Sequence, residues 1–381
     1  MKKLNVSSLI TCIVFFGILA ALPIVTALLP KKESSEVENK KLQKMPEISA
    51  KTIYDRSYMN DLETYVSDHF AGRIGWIKAR TVLETSLGKK ERNGVYILKN
   101  RLVEAISEPD YSSIDKTVAA VNKFAEENDV PMFFMIVPTS AEIYADELPK
   151  NAPNPNQRDV INYAYRNFGK GVATLDVYSI MESNRFDYIY YRTDHHWTTY
   201  GAYLAYSAAG KKMGYTPVPL DKYDVEHASD EFQGTFYSKA LYDKVEKDTL
   251  DIYHPTEGEN VTEVVITRNI DDEPERYDDM YFRDFLGKKD KYSTFLGTNT
   301  PIVNIKSDND GGRLLIIKDS YAHCYAPFLT RHYSEITLVD MRYIQMSYKQ
   351  LFDPEEYDQV LFLYNASSFM GDTDLRKLAY D

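Results

Sequence analysis

An aspartate beside two histidines is the place in this sequence where chemistry could begin. The stretch Tyr191-Arg192-Thr193-Asp194-His195-His196-Trp197-Thr198-Thr199-Tyr200-Gly201 holds two of the chain's seven histidines. Asp194 and His196 are two apart, so on an extended backbone their side chains leave on one side and His195 on the other. Small and apolar residues then fall at Trp197, Gly201, Leu204, Ala205, Ala208 and Met213. That is helical spacing, with Thr198 or Thr199 placed to cap the helix start. Three readings fit: a helix cap with two satisfied histidines, a metal site built from Asp and His ligands, or acid/base catalysis. Adjacent histidines diverge on an extended chain, which disfavours one shared ion. In the third reading His196 is the base and Asp194 sets its tautomer and orientation, and a nucleophile is then required elsewhere.

Arg313-Leu314-Leu315-Ile316-Ile317-Lys318-Asp319-Ser320-Tyr321 supplies a candidate. Four apolar residues after Gly311-Gly312 predict a buried strand that stops at Asp319-Ser320. The carboxyl end of a parallel strand is where α/β proteins collect reactive groups. A serine opening the next helix has backbone N–H groups near it for an oxyanion. Asp319 and Ser320 as a plain helix cap is the alternative. The matching Asp–His pair favours Ser320 as nucleophile.

The Asp-His-His-Trp string resembles the signature of the DHHW protein family of Gram-positive bacteria. That family is similar to the extracytoplasmic alginate O-acetyltransferases, whose fold is SGNH-hydrolase-like. Glu38-Asn39-Lys40-Lys41-Leu42, Tyr65-Val66-Ser67-Asp68-His69-Phe70, Gly94-Val95-Tyr96-Ile97-Leu98-Lys99, Val137-Pro138-Thr139 and Phe232-Gln233-Gly234-Thr235-Phe236-Tyr237-Ser238 also resemble it. The resemblance runs from about residue 35 to the end. It implies Asp194, His196 and Ser320 as a catalytic set, with no metal or organic cofactor. It implies a membrane-bound acyltransferase as donor-side partner and a cell-surface polysaccharide as acceptor. One departure stands out: SGNH enzymes read Gly-Asp-Ser at the nucleophile, and this chain reads Lys318-Asp319-Ser320.

These residues need a scaffold. The 381-residue chain suits one large domain or two smaller ones. Its 45 basic and 57 acidic residues, net −12, argue against a nucleic-acid partner. Cys12 and Cys324 form no disulfide framework, because Cys12 lies in an apolar N-terminal run. Leu9–Leu29 is uncharged and long enough to cross a bilayer; Lys2 and Lys3 before it are consistent with a cytoplasmic N-terminus. A cleaved signal peptide ending near Val25-Thr26-Ala27 is the rival, but its apolar region would be shorter. The expected organisation is an anchor over 1–30, a stalk over 31–50, and a catalytic domain over 51–381.

Within that domain the pattern predicts a helical stretch over Asp55–Leu87 whose apolar residues Met59, Leu62, Val66, Phe70, Ile74, Ile77, Val82 and Leu83 pack a core. It predicts a hairpin over Val95–Val103, a helix over Asp115–Glu127, and strands at Pro131–Val137, Val172–Val177, Leu314–Ile317, Glu335–Val339 and Gln359–Tyr364. Strands alternating with helices argue for a parallel α/β sheet flanked by helices. The segment from Val218 to Gly312 changes character. It is charged and tyrosine-rich, with β-like runs at Thr249–Tyr253 and Val261–Thr267, and reads as an inserted, mixed β-rich segment that covers or edges the site.

Several further residues are candidates for substrate contact: Trp197, Tyr321, Arg342 and Asn365, the last as an oxyanion donor. Tyr191, Tyr200, Tyr321 and Tyr325 could form a sugar platform. His323 and Cys324 read as packed residues, and Lys318 has no evident role. The expected function is extracytoplasmic acyl transfer, acetyl by the resemblance, to a cell-surface polysaccharide of a Gram-positive bacterium by a single-pass membrane protein. A carbohydrate esterase with the same three residues is the first alternative; a non-catalytic wall-binding or assembly protein is the second.

Overall fold

The computed structural model describes residues 6–257 and 261–380, so Lys2 and Lys3 lie outside the described residues. The chain forms two compact units. One comprises residues up to Lys89 with Ser238–Asp243; the other comprises Lys90–Tyr237 and Lys244–Asp381.

The first unit begins with a helix over Val6–Leu28, none of whose residues is buried. Its 23 residues extend about 34 Å at 1.5 Å per residue, against a hydrocarbon core of about 30 Å. It fits a single-pass membrane anchor by length and composition. The helical stretch expected over 55–87 is two helices, Ser57–Asp68 and Arg73–Ser86, preceded by a short one over Ala50–Tyr54. The breaks fall where Arg56 and Gly72 take φ of 63° and 68°, a left-handed conformation that no α-helix continues through. The expected core face is only partly covered: Met59, Val66 and Leu83 are exposed, while Leu62, Phe70, Ile74, Ile77 and Val82 are half-buried. Helical periodicity marks an apolar face but does not supply the partner that buries it.

The second unit is built on an eight-stranded sheet. Its strands are numbered here in chain order: β1 Met132–Val137, β2 Val172–Leu175, β3 Val261–Thr267, β4 Glu275–Tyr277, β5 Ile302–Ser307, β6 Gly312–Lys318, β7 Tyr333–Val339 and β8 Gln359–Asn365. The spatial order is β4-β3-β5-β7-β6-β8-β1-β2. From β7 to β2 every pairing is parallel, while β5, β3 and β4 extend the sheet antiparallel. This is a mixed α/β architecture with a largely parallel sheet. The segment 218–312 thus contributes three strands to the main sheet, besides a separate hairpin of Tyr223–Phe232 with Asp248–Pro255. The charged surroundings of β5 hid it from pattern reading.

Strand alternation explains the continuous apolar runs. Leu314, Ile316, Leu361 and Leu363 enter the core on one face with helices Thr199–Met213 and Ala322–Leu329. Leu315, Ile317, Val360 and Phe362 enter the other with helices Tyr111–Glu127 and Gln157–Asn167. Both faces are covered, as a parallel sheet requires. The hairpin expected over Val95–Val103 is Val95–Ile97 paired with Leu102–Glu104, joined by a third short strand, Glu91–Arg92.

The order of the parallel strands locates a crevice. The chain leaves β6 for β7 on one side, and β8 returns on the other. At such a switch point the carboxyl ends of neighbouring strands open toward a ligand. The Asp319 N–H donates to Leu363 O of β8 at 3.1 Å, tying the turn that carries Ser320 across this point.

Candidate active site

The Asp194–His196 segment is not the extended lead-in that alternation implies. Tyr190 and Trp197 form an antiparallel bridge, and the Tyr191 N–H donates to His196 O at 3.2 Å. The residues between them form a closed, bent loop. Fully buried Asp248 holds its inner side, accepting from Arg192 N–H at 2.6 Å, Thr193 N–H at 2.8 Å, Thr193 Oγ1 at 2.5 Å and Tyr188 OH at 2.6 Å. The helix behind it starts at Thr199, capped by Thr198, whose Oγ1 accepts from Gly201 N–H at 3.2 Å. Gly201 is needed there, since a Cβ would lie 2.3 Å from Ile189 O.

In this loop His196 Nδ1 donates to Asp194 Oδ1 at 2.6 Å. That bond leaves Nε2 as the acceptor for Ser320 Oγ, at 2.7 Å. The three residues therefore form one hydrogen-bonded chain, with both gaps inside normal reach. Asp194 and His196 are buried. Ser320 is half-buried, between buried Asp319 and Tyr321. Among the described residues no acceptor holds the Ser320 N–H, which leaves it free to meet a developing oxyanion.

The other Asp194 oxygen is equally engaged. Oδ2 accepts from Thr235 N–H at 2.7 Å and Thr235 Oγ1 at 3.1 Å. Burial alone would raise the Asp194 pKa, but its electrostatic interaction with His195 and His196 and these hydrogen bonds hold it far below the usual carboxylate range. Tyr292 stacks on the His196 ring at 3.6 Å and 9°, and its OH donates to Ser320 O at 3.0 Å. It holds both the His196 ring and the Ser320 main chain. Thr235, Asp248 and Tyr292 all come from the segment 218–312, and sequence reading assigned none of them a role. The Gln233-Gly234-Thr235 run was the available signal. Gly234 packs so tightly on Asp194 that a Cβ would sit 2.1 Å from Oδ2. Gly234→Ala is expected to cost about 1–3 kcal/mol of stability through overpacking. It should also slow acylation of Ser320 about 10²-fold by displacing Asp194; thermal melting and labelling rates measure the two effects.

His195 does not leave on the opposite side. Its Nδ1 donates to Thr235 Oγ1 at 2.8 Å and lies 3.4 Å from Asp194 Oδ1, and its ring is 3.8 Å from that of His196. Ligand atoms of Asp194, His195 and His196 come within 4.8 Å of one another. The expected divergence of the histidines fails because the loop is bent. A metal there would displace the hydrogen bonds from His196 and Thr235, which already satisfy the carboxylate.

The remaining sequence candidates take other places. Trp197 and Tyr321, expected at the substrate, are fully buried. The Trp197 indole N–H donates to Tyr321 O at 3.1 Å, and Tyr321 OH donates to His195 O at 2.5 Å. They fasten the histidine loop to the serine turn, and truncating such rings costs about 3–5 kcal/mol. Tyr191 and Tyr325 are also fully buried, so with Tyr321 they are core and not a sugar platform; Tyr200 is half-buried. Asn365 is no free oxyanion donor: its amide donates to Asp319 Oδ2 at 2.7 Å and Ser368 Oγ at 2.8 Å. Asp319 also accepts from Asn365 N–H and Tyr321 N–H, each at 2.8 Å, and so shapes the turn that presents Ser320. Cys324 is buried, its thiol pushed up to about 12 by burial.

Lys318, the departure from Gly-Asp-Ser, goes into the core. Its side chain is fully buried, 3.3 Å from Asp340 Oδ2, and it donates to His323 Nε2 at 2.8 Å. Burial lowers its pKa, against the pull of Asp340. Burial and the Lys318 charge keep His323 neutral, with its Nδ1 donating to Phe295 O at 3.0 Å. Arg342, half-exposed, grips Asp340 with both Nε and Nη2, at 2.8 and 2.6 Å. Lys318 is thus a buried ion-pair member and leaves the serine turn intact. Lys318→Ala is expected to destabilise by about 3 kcal/mol. Lys318→Met should cost less, because it keeps the volume while Arg342 still neutralises Asp340. Urea unfolding of both variants checks the order.

A serine presented past a central strand of a largely parallel sheet, hydrogen-bonded through histidine to a buried aspartate, completes the picture of a mixed α/β protein with its polar cluster at the strand ends. Residues 85–339 match the DHHW protein family; the chain belongs to that family. Its structure is similar to that of a DHHW family protein from Eubacterium siraeum, at 27% identity over 75% of this chain and 95% of the other, with a TM-score of 0.63. It is also similar to Bacillus cereus PatB1 at 21% identity over 74% and 98%, TM-score 0.64. PatB1 with a sulfonyl adduct gives 19% identity over 74% and 97%, TM-score 0.64; at these identities the likeness to PatB1 is one of fold. No match is found among curated proteins.

Proposed function

We propose that this protein is a membrane-anchored, SGNH-like enzyme that moves an acyl group, acetyl by family resemblance, onto a cell-surface polysaccharide outside the cytoplasm. The observation that carries the reading is the Asp194–His196–Ser320 chain, at 2.6 and 2.7 Å. Ser320 Oγ attacks the acyl carbonyl while His196 Nε2 takes its proton. Asp194 steadies the resulting imidazolium through Nδ1. The tetrahedral oxyanion forms beside the Ser320 N–H. Collapse expels the donor's alcohol, which receives the proton from His196, and leaves an ester on Ser320. A sugar hydroxyl then attacks that ester, His196 takes its proton, and the free serine is restored. Dividing the transfer at the ester makes two easier steps. In this reading residues 1–30 anchor, 31–50 act as a stalk, 51–381 carry the activity, and a membrane-bound acyltransferase supplies the acyl group.

The test is to supply an activated acetyl ester with and without a panel of surface glycan oligomers, and to measure acetate, acetylated glycan and intact protein mass. An acetyl adduct that glycan discharges as acetylated product supports transfer. Acetate release that no glycan diverts makes the protein an esterase. Absence of both adduct and turnover overturns the enzymatic reading.

A further inference from the structure

We infer that the helices Ala50–Tyr54, Ser57–Asp68 and Arg73–Ser86 rest on the lipid surface, with Trp76 in the interfacial layer, so that the protein meets the bilayer through a peripheral face as well as through its anchor. The inference rests on reading Val6–Leu28 as a membrane span.

Three observations within the first unit carry it. The first is depth. Thr26, in the last turn of the helix Val6–Leu28, accepts the Ala71 N–H on Oγ1 at 3.1 Å. Pro23, Thr26 and Ala27 line one concavity with Tyr65, Val66, His69 and Phe70, and His69 Nε2 lies 3.2 Å from Lys32 O. The turn between the second and third helices is therefore fixed at the level where the span leaves the hydrocarbon. The interfacial layer there is only about 5–7 Å thick on each side.

The second is what these helices leave exposed. Trp76 Nε1 donates to Ala71 O at 3.2 Å, so the indole's polar edge is satisfied by the same residue whose N–H meets Thr26. Trp76 is nevertheless 58% exposed. Met59, Val66 and Leu83 are 63%, 48% and 61% exposed. Met59, Leu62 and Val66 line one strip of the second helix with Asn60 and Glu63. In water such a surface is unfavourable. At a headgroup boundary it is the preferred arrangement, with Trp at the interface and apolar residues toward the acyl chains.

The third is charge. Residues 31–90 hold twelve Lys and Arg against nine Asp and Glu, whereas the whole chain is at −12. The stretch next to the span thus carries a basic excess of three on an acidic chain, and each basic residue near an anionic surface contributes about 1 kcal/mol. A protein partner on the same face would explain the exposed apolar residues but not why the face is fixed at the depth of the span's end.

The chain has two tryptophans, and Trp197 is fully buried. The full-length protein, purified alone and reconstituted into vesicles of phosphatidylcholine and phosphatidylglycerol, therefore reports on Trp76 through the difference between wild type and Trp76→Phe. The expected result is that lipids spin-labelled near the headgroup roughly halve the Trp76 emission while iodide leaves it unchanged. Quenching by iodide and not by labelled lipid overturns the inference, as does protection from both, which would mean that protein covers the face. Flotation separates the two readings. A chain that does not float with the vesicles removes the span and this inference together. A chain that floats with Trp76 untouched by labelled lipid removes this inference alone.

Discussion

Ser320→Ala is expected to abolish the covalent acetyl adduct and to lower turnover of an activated ester by about 10⁴- to 10⁶-fold, the range seen when a serine nucleophile is removed from such a relay. The expectation follows from geometry. Ser320 Oγ lies 2.7 Å from His196 Nε2 and is the half-buried residue between two buried neighbours. The substitution removes one oxygen at a turn whose shape is held by Asp319, so the melting temperature should hardly move. Intact-mass spectrometry after incubation with an acetyl ester, and in parallel with a serine-reactive sulfonyl fluoride, checks it. A Ser320→Ala protein that still takes up either group would place the nucleophile elsewhere.

Asp194→Asn is expected to lower the acylation rate by about 10⁴-fold while leaving the fold in place. The amide is the same size, but it offers His196 Nδ1 a donor or a weaker acceptor in place of a carboxylate. The imidazole then loses the tautomer that leaves Nε2 free to receive the Ser320 proton. Asp194 is buried, and its pKa lies far below the usual range. A carboxyl whose folded pKa is depressed stabilises the fold above its unfolded value, and that contribution is lost as pH falls through the folded pKa. It is therefore complete at neutral pH and fades only in strong acid, below the ordinary carboxylate range near 4. Asp194→Asn should accordingly flatten the acid limb of the stability–pH curve. Stopped-flow labelling across pH, with circular dichroism on the same samples, reads both effects. Unchanged acylation in the variant would assign Asp194 a purely structural role.

Much of the scaffold was legible because the second unit's sheet is buried on both faces. Continuous apolar runs bounded by glycine, proline or charge announced β6 at Leu314–Ile317, and β1, β7 and β8 close to their bounds. The uncharged N-terminal run announced the helix Val6–Leu28. The short edge strand β4 and the interior β5, both in charged surroundings, left no comparable mark. The helical stretch over 55–87 was legible as an apolar face, but its breaks depend on single left-handed residues, and its expected burial is only partial.

Residue type and spacing alone determined that Asp194, His196 and Ser320 were the groups to watch, and that the anchor-like helix lies at the N-terminus. Only the tertiary structure decided what surrounds them. The contacts that build the site join residues far apart in the chain: Thr235 reaches Asp194 over 41 residues, Asp248 reaches Thr193 over 55, and Ser320 reaches His196 over 124. Local pattern carries no record of such pairings. It could not foresee that a bent loop turns His195 toward Asp194, that Tyr292 stacks on His196, or that Trp197 and Tyr321 close a core. Lys318 makes the same point. In sequence it is a missing glycine, but in the fold Asp340, Arg342 and His323 give its charge a buried place, because side chains from three elements converge there.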